Sequence, residues 1–221
     1  MAGKTVNGLV IGADGKRRCS WCVSDPLYVK YHDTQWGRPV VDDNPLYEKI
    51  CLEGFQSGLS WLTILRKRES FRRVFFNFDP LLVSKFTQRD VARLLKDESI
   101  IRHRGKIEAT IQNAKSTLEV QSQYGSLTKF VWSFRQDPKE IARRKAPKRL
   151  ADVVASTPES EALSKGLKGH GFKFVGPTTM YAAMQSLGLV NDHLIGCHLR
   201  ANCEHEQKVV ARKAVAQSVV A

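Results

Sequence analysis

Gly169-His170-Gly171-Phe172-Lys173-Phe174-Val175-Gly176-Pro177-Thr178-Thr179 is the stretch on which the fold turns. Apolar residues recur at helical spacing on both sides of it, from Ser160 to Leu167 and from Pro177 to Leu187. Its glycines permit a tight backbone turn. Pro177 falls in the first turn of the second helix, where a missing amide proton costs little. Helices joined this way leave the amides that open the second one pointing outward. Such amides bind a phosphate oxygen well. Lys173, Gly176 and Thr178 are the candidate contacts, with Thr179 beside them.

A helix-hairpin-helix grips one DNA strand in this manner without reading its sequence. An ordinary helix–helix turn would look the same, so charge carries weight. Lys plus Arg is 35 against 22 Asp plus Glu, a net of +13. A surplus of this size favours a polyanion, because each neutralised phosphate releases counterions. No one segment concentrates both charge and apolar residues, which argues against a membrane-surface binder. A second basic turn, Ile101-Arg102-His103-Arg104-Gly105-Lys106, opens another helix. It offers Arg102, Arg104 and Lys106 as a second phosphate clamp.

Further out, the pattern stays helical. The 221 residues suit one large domain or two small lobes. Leu46, Ile50 and Leu52 form an apolar face that breaks at Gly54 and Gly58 and resumes at Leu59, Trp61, Leu62 and Leu65. Thr87 and Asp90 make a capping-box variant ahead of Val91, Leu94 and Leu95. A helix is expected from Lys106 to about Val120. Strand signals are few, at Leu9-Val10-Ile11 and Val40-Val41. The expected class is all-α. Residues 1–17, interrupted by Gly8, Gly12 and Gly15, are expected to be a flexible arm. Residues 18–200 form the main domain of two helical lobes. The tail, 201–221, is expected as a peripheral helix or as disordered chain. Residues 136–160, with Lys139, Arg143, Arg144 and Lys148, are expected to be a basic connection holding one short helix. No apolar run reaches the roughly 20 residues of a membrane helix, and the N-terminus lacks a secretory signal. An intracellular protein is expected, cytoplasmic if bacterial, and nothing demands more than a monomer.

The five cysteines are Cys19, Cys22, Cys51, Cys197 and Cys203. An odd count without a signal peptide points away from a disulfide framework. Cys19 and His32 are twelve residues apart in the intervening count, and His193 and Cys197 would share one face of a helix. Four such ligands can close a tetrahedral zinc site. Cys22, His198, Cys203 and His205 are further candidates, and spacing alone does not rank them. A closed site would be structural, with no open position for a catalytic water. Trp21, Tyr28, Tyr31, Trp36 and Trp61 gather toward the N-terminal third, where they suit either a core or base stacking. Glu53 sits beside the glycine break, where a carboxylate can face a cavity.

Several separate motifs, in order, resemble the type I DNA-3-methyladenine glycosylases. They include Arg18-Cys19-Ser20-Trp21, Asp25-Pro26-Leu27-Tyr28, Tyr31-His32-Asp33, Ile50-Cys51-Leu52-Glu53-Gly54 and Gly58-Leu59-Ser60-Trp61. Ile101 to Ile107, Phe130 to Phe134, Gly171 to Gly176 and Gly188 to His193 continue the match, which spans roughly residues 18–198. The resemblance implies an α-helical fold of the helix-hairpin-helix glycosylase superfamily. It implies a structural zinc site from Cys19, His32, His193 and Cys197, joining the N- and C-terminal parts. It implies that Glu53 recognises the excised base, with Tyr31 and Trp61 lining the pocket and Trp21 and Tyr28 as further pocket aromatics. Phe55 stands where the family often has Gln, Cys22 is extra beside the zinc motif, and Asn191 stands where the wider superfamily places a catalytic Asp.

The expected activity is hydrolysis of the N-glycosidic bond of 3-methyladenine in alkylated double-stranded DNA, releasing the free base without strand cleavage. Two rivals are a zinc module that binds DNA without catalysis, and a zinc hydrolase with an open metal position.

Overall fold

The computed structural model describes residues 6–136, 140–141 and 144–218, with side chains described to residue 211. Lys139 and Arg143 of the basic connection lie outside the described residues, as does the start of the expected arm. The chain divides into two compact units. One is drawn from Met1–Val40, Gln136–Ala155 and Met184–Ala221, the other from Val41–Arg135 and Ser156–Ala183.

In the first unit, strands β1 (Leu9–Ile11) and β2 (Arg17–Cys19) pair antiparallel, with Leu9 opposite Cys19 and Ile11 opposite Arg17. The expected flexible arm is therefore corrected from residue 6 onward. Gly15, at φ +75°, turns the chain back, and Leu9 packs against a core of Cys19, Leu194, Cys197, Leu199 and Cys203. A short 3-10 turn over Ser20–Cys22 leads to helix α1 (Pro26–Thr34), capped by the Asp25 carboxylate, which accepts from the Leu27 amide at 2.8 Å.

The second unit is built on α2 (Asp43–Gln56) and α3 (Trp61–Val74), which flank the expected glycine break. Gly58, at φ +79°, makes that break. The short helices α4 (Pro80–Val83) and α5 (Gln88–Leu94) follow, and the Asp90 carboxylate accepts from the Thr87 amide at 2.9 Å, as the capping pattern predicts. Helix α6 (Arg104–Tyr124) runs two residues further N-terminal and four further C-terminal than the apolar periodicity indicated, ending at Gly125 in the left-handed region. Then come α7 (Leu127–Trp132), α8 (Pro158–Gly169) and α9 (Pro177–Ser186), whose last turn from Met184 counts with the first unit, as does the tail helix α10 (Arg200–Ser218).

The core of the second unit is aromatic. Phe55 lies 4.5 Å from Phe71 between ring centroids, and Phe75 stacks on Phe78 at 5.5 Å. Phe55 is 1% exposed, so its ring belongs to this core. The Asp43 carboxylate fastens the start of α2 to the turn between α6 and α7. It accepts from the Leu127 and Thr128 amides, the Thr128 hydroxyl and the Gln121 amide group, all within 2.7–2.9 Å.

Candidate functional site

The first unit gathers Cys19, His32, His193 and Cys197, all buried, with their ligand atoms within 4.8 Å of one another. Cys19 ends β2, and His32 sits in the last turn of α1. His193 and Cys197 lie on a turn, closed by the Cys197 amide donating to the Leu194 carbonyl at 2.9 Å. This corrects the helical placement expected for that pair. Gly196, at φ +92°, makes the turn and still aims both side chains inward. The Cys197 Sγ stands 3.4 Å from His193 Nδ1 and 3.6 Å from His32 Nε2. A tetrahedral ion with sulfur at about 2.3 Å and nitrogen at about 2.0 Å would place neighbouring S and N about 3.5 Å apart. The donor set can hold a metal of that kind.

The surroundings set the ring orientations. His32 Nδ1 is bonded to an Asp33 oxygen at 2.8 Å, which turns Nε2 toward the cluster. His193 Nε2 donates to the Trp36 carbonyl at 3.2 Å, which leaves Nδ1 facing Cys197. Asp33 is held in turn by the Arg18 guanidinium at 2.7 Å, and Arg18 is held by Asp14 at 2.6 Å. Hydrogen bonds from Cys19 and both imidazoles hold the Cys197 thiol well below its usual range, against burial. Burial opposes charge on His32, yet its bonds with Cys197, Cys22 and Asp33 push it up to about 10. The Cys19 thiol is pushed the other way, well above its usual range, by its hydrogen bond with Cys197 and by burial.

Of the other candidates, Cys22 donates its thiol to the Cys19 carbonyl at 3.1 Å and stands outside the four-residue group. His198 faces Asp33 at 3.4 Å, Cys203 is buried with its thiol pushed up to about 11 by burial, and His205 is exposed. His32, Asp33 and His198 also lie close enough to share a cation, but the Asp33 carboxylate already carries Arg18. Trp21 packs edge-on against Tyr28 at 4.9 Å and Trp36 at 5.0 Å, and Tyr28 stacks near Tyr31 at 6.5 Å. Tyr31 is buried, whereas Trp21 and Tyr28 are half-buried. Asn191 accepts from the His193 amide and donates to the Arg200 carbonyl, both backbone groups of the same unit.

In the second unit Glu53 is 5% exposed on the last full turn of α2. Lys49, one turn earlier, brings its Nζ to 3.9 Å from Glu53 Oε1 and 4.1 Å from the centre of the Trp61 ring. Trp61 opens α3, whose N-cap Ser60 accepts from the Thr63 amide. Sequence reasoning missed Lys49, although its i, i+4 spacing from Glu53 was available as a signal. Burial lowers the Lys49 amine to about 8, partly offset by the Glu53 and Glu48 carboxylates and deepened by Arg68 and Arg72.

The glycine turn lies between α8 and α9, with Gly171 at φ +79° and Phe174 at φ +56°. Asn113 fastens it on one side, accepting from the Lys173 amide at 2.7 Å and donating to the Lys173 carbonyl at 3.1 Å. Ser164 fastens it on the other through the Val175 carbonyl at 2.6 Å. A Cβ on Gly54 would lie 3.1 Å from the Phe174 Cβ, so glycine there lets the turn approach α2. Lys173 and Thr178 are exposed, and Gly176 has open space where a side chain would be. An open groove of about 600 Å³ is lined by Gly105, Glu108, Ala109, Gln112, Lys173 and Phe174, beside both basic turns. Arg102 and Arg104 are half exposed and pair with Glu98 at 3.1 Å and Glu108 at 3.2 Å. Lys106 differs from the other candidates. It is 7% exposed, and its ammonium donates to the Phe55 and Ser57 carbonyls at 2.8 and 2.6 Å.

Comparison with known proteins places the chain in a family. DNA-3-methyladenine glycosylase 1 of Escherichia coli (strain K12) is 49% identical over 180 residues, 81% of this chain and 95% of that protein. A crystal structure of 3-methyladenine DNA glycosylase I superposes with a TM-score of 0.76 at 48% identity, covering 82% of this chain and 98% of the other. A variant of 3-methyladenine DNA glycosylase I, solved in complex with 3-methyladenine, gives a TM-score of 0.76 at 35% identity, covering 83% and 97%. The sequence model of the methyladenine glycosylase family matches residues 21–201, and this chain therefore belongs to that family.

Proposed function

We propose that this chain removes 3-methyladenine from alkylated DNA, hydrolysing the N-glycosidic bond as the first step of base-excision repair. The observation that carries this reading is the buried Glu53 carboxylate, linked to the Trp61 ring by the Lys49 ammonium, which lies 3.9 Å from the one and 4.1 Å over the other. A base methylated at N3 while attached to sugar is a cation, and its leaving group is neutral. The bond is already weak, so the protein's task is to select and hold the base. Extrusion from the duplex costs a few kcal/mol, and less for a damaged pair. Glu53 accepts hydrogen bonds from the adenine edge, and the Trp61 face attracts the cationic ring by about 0.5–2 kcal/mol. Tyr31, Trp21 and Tyr28 are assigned to the base on the family resemblance. Water is the nucleophile, and the strands stay intact.

The turn between α8 and α9 acts as a helix-hairpin-helix clamp in this scheme. Gly176 and Thr178 present the first amides of α9 to a phosphate, and Lys173 adds its charge, with Arg102 and Arg104 at the neighbouring turn. Lys106 is left out of that set, because its ammonium already serves two carbonyls. Cys19, His32, His193 and Cys197 would hold a zinc ion, which supplies cross-linking of the first unit and no open coordination position. No helix among the described residues is long and apolar enough to cross a membrane.

The test is base release from methylated duplex DNA, followed by chromatography, with Glu53→Gln alongside. Free 3-methyladenine from the wild type, lost in Glu53→Gln while DNA binding persists, is the expected result. Folded protein that binds methylated DNA and releases no base would leave a non-catalytic binding module in its place. Nicked strands at the excision site would overturn hydrolysis by water alone.

A further inference from the structure

If Glu53 and Trp61 receive the base, then a cation already stands where the substrate's cation must go. The Lys49 ammonium lies 4.1 Å over the Trp61 ring and 3.9 Å from Glu53. Its side chain is 12% exposed, so bulk water does little to screen it. We propose that Lys49 is the resident stand-in for the cationic base, and that the base enters in exchange for the Lys49 proton. This rests on the reading of Glu53 and Trp61 given above.

Two unit positive charges cannot share one aromatic face and one carboxylate without strong repulsion, because the dry surroundings amplify it. Three arrangements relieve it: the base stays out, the lysine swings away, or the lysine loses its proton. The third is made easy by the groups that face Lys49. Glu48 and Glu53 on α2 favour its charge, whereas burial and Arg68 and Arg72 on α3 disfavour it. The balance brings the amine to about 8, within reach of neutral pH. An arginine in its place would keep its proton throughout. The exchange conserves charge: one cationic base enters, and one proton leaves Lys49 for solvent.

The consequence is a proton linkage specific to charged ligands. Below pH 8 the affinity for a fixed cation should rise about tenfold per pH unit, and above it the rise should level off. The experiment is calorimetric titration of the whole protein between pH 6 and pH 9 with two probes. One is 3,9-dimethyladeninium, whose charge is fixed by alkylation at both ring nitrogens. The other is 9-methyladenine, an isomer of 3-methyladenine that serves as the neutral isostere over this range. Wild-type protein should bind the cation about tenfold more tightly at pH 7 than at pH 6, with the neutral isostere changing little. Lys49→Met should remove the pH step, and Lys49→Arg should bind the cation weakly at every pH. Circular dichroism and retained binding of the neutral isostere establish that a variant is folded; should Lys49→Met fail to fold, Lys49→Arg decides. A flat wild-type profile for the cation, or a step that survives in a folded variant, overturns the exchange. Wild-type protein that binds neither probe overturns the assignment of Glu53 and Trp61 to the base instead.

Discussion

Lys106→Met separates two roles for one cation. The basic turn that opens α6 makes Lys106 a natural phosphate contact, yet its ammonium donates to the Phe55 and Ser57 carbonyls at the end of the Glu53 helix. Methionine keeps the length of the side chain and removes the donor. Hydrogen bonds to a charged group contribute roughly 1.5–3 kcal/mol each, so two of them amount to about 3–6 kcal/mol gross. Part of that returns, because burial disfavours the charged amine and lowers its pKa. The Phe55 carbonyl has little access to water, so its loss is not made good by solvent. A net loss of about 2–3 kcal/mol is expected. With a urea slope of about 2–3 kcal/mol per molar, the unfolding midpoint should fall by about 1 M. Lys106 would then leave the salt dependence of DNA binding unchanged. The opposite pattern refutes the argument: an unmoved midpoint, with a salt slope reduced by about one for a lost phosphate contact.

Three further outcomes are expected. Asp43→Ala should lose about 2–3 kcal/mol at neutral pH, because four hydrogen bonds end on one half-buried carboxylate. Burial raises that carboxyl, but the hydrogen bonds hold it below its ordinary value, so its contribution is full above about pH 4 and lost as pH falls through the lower folded value; denaturant curves for variant and wild type should converge in acid. Gly188→Ala should cost about 2–5 kcal/mol in thermal melts, since its Cβ would lie 2.5 Å from Arg38 and Pro39 backbone atoms at φ +73°. Cys197→Ser, or dialysis against a strong chelator, should take zinc from one equivalent to none by elemental analysis and lower the melting temperature by more than about 10 °C; metal-free protein that melts unchanged would rule out a structural zinc.

The helical frame was legible because periodicity, caps and glycine breaks agreed at each point. The helix break at Gly58, the Thr87–Asp90 cap and the turn before Pro177 appear where the pattern puts them, whereas Gly54, also expected to break the helix, lies inside α2. Cys19, His32, His193 and Cys197 do gather, but spacing alone could not choose among them and Cys22, His198 or Cys203. The ranking is tertiary: Cys22 turns its thiol to a backbone carbonyl, and Asp33 holds Nδ1 of His32 so that Nε2 faces inward. Four-residue spacing misled at His193 and Cys197, where the inward aim comes from a turn at Gly196. Leu9-Val10-Ile11 carried a strand signal and is β1, but its partner Arg17–Cys19 has three residues and no apolar alternation, so the pairing was not read. Lys106 and Lys49 look like any surface lysine in sequence. Only the carbonyls around the first and the Trp61 ring beneath the second give them their roles.

The interrupted layout of the first unit fixes a timetable for the ribosome. His32 and Cys197 touch at a sequence separation of 165, and Cys19 meets Leu194 at one of 175. At ordinary synthesis rates Cys19 and His32 wait roughly ten to thirty seconds for His193 and Cys197. Every residue of the second unit, from Val41 to Ala183, leaves the ribosome within that interval. The unit that carries Glu53 can mature while the Cys/His cluster is still incomplete, and nascent chains stalled with Ala183 outside the exit tunnel and His193 still within it should already protect its amides from exchange.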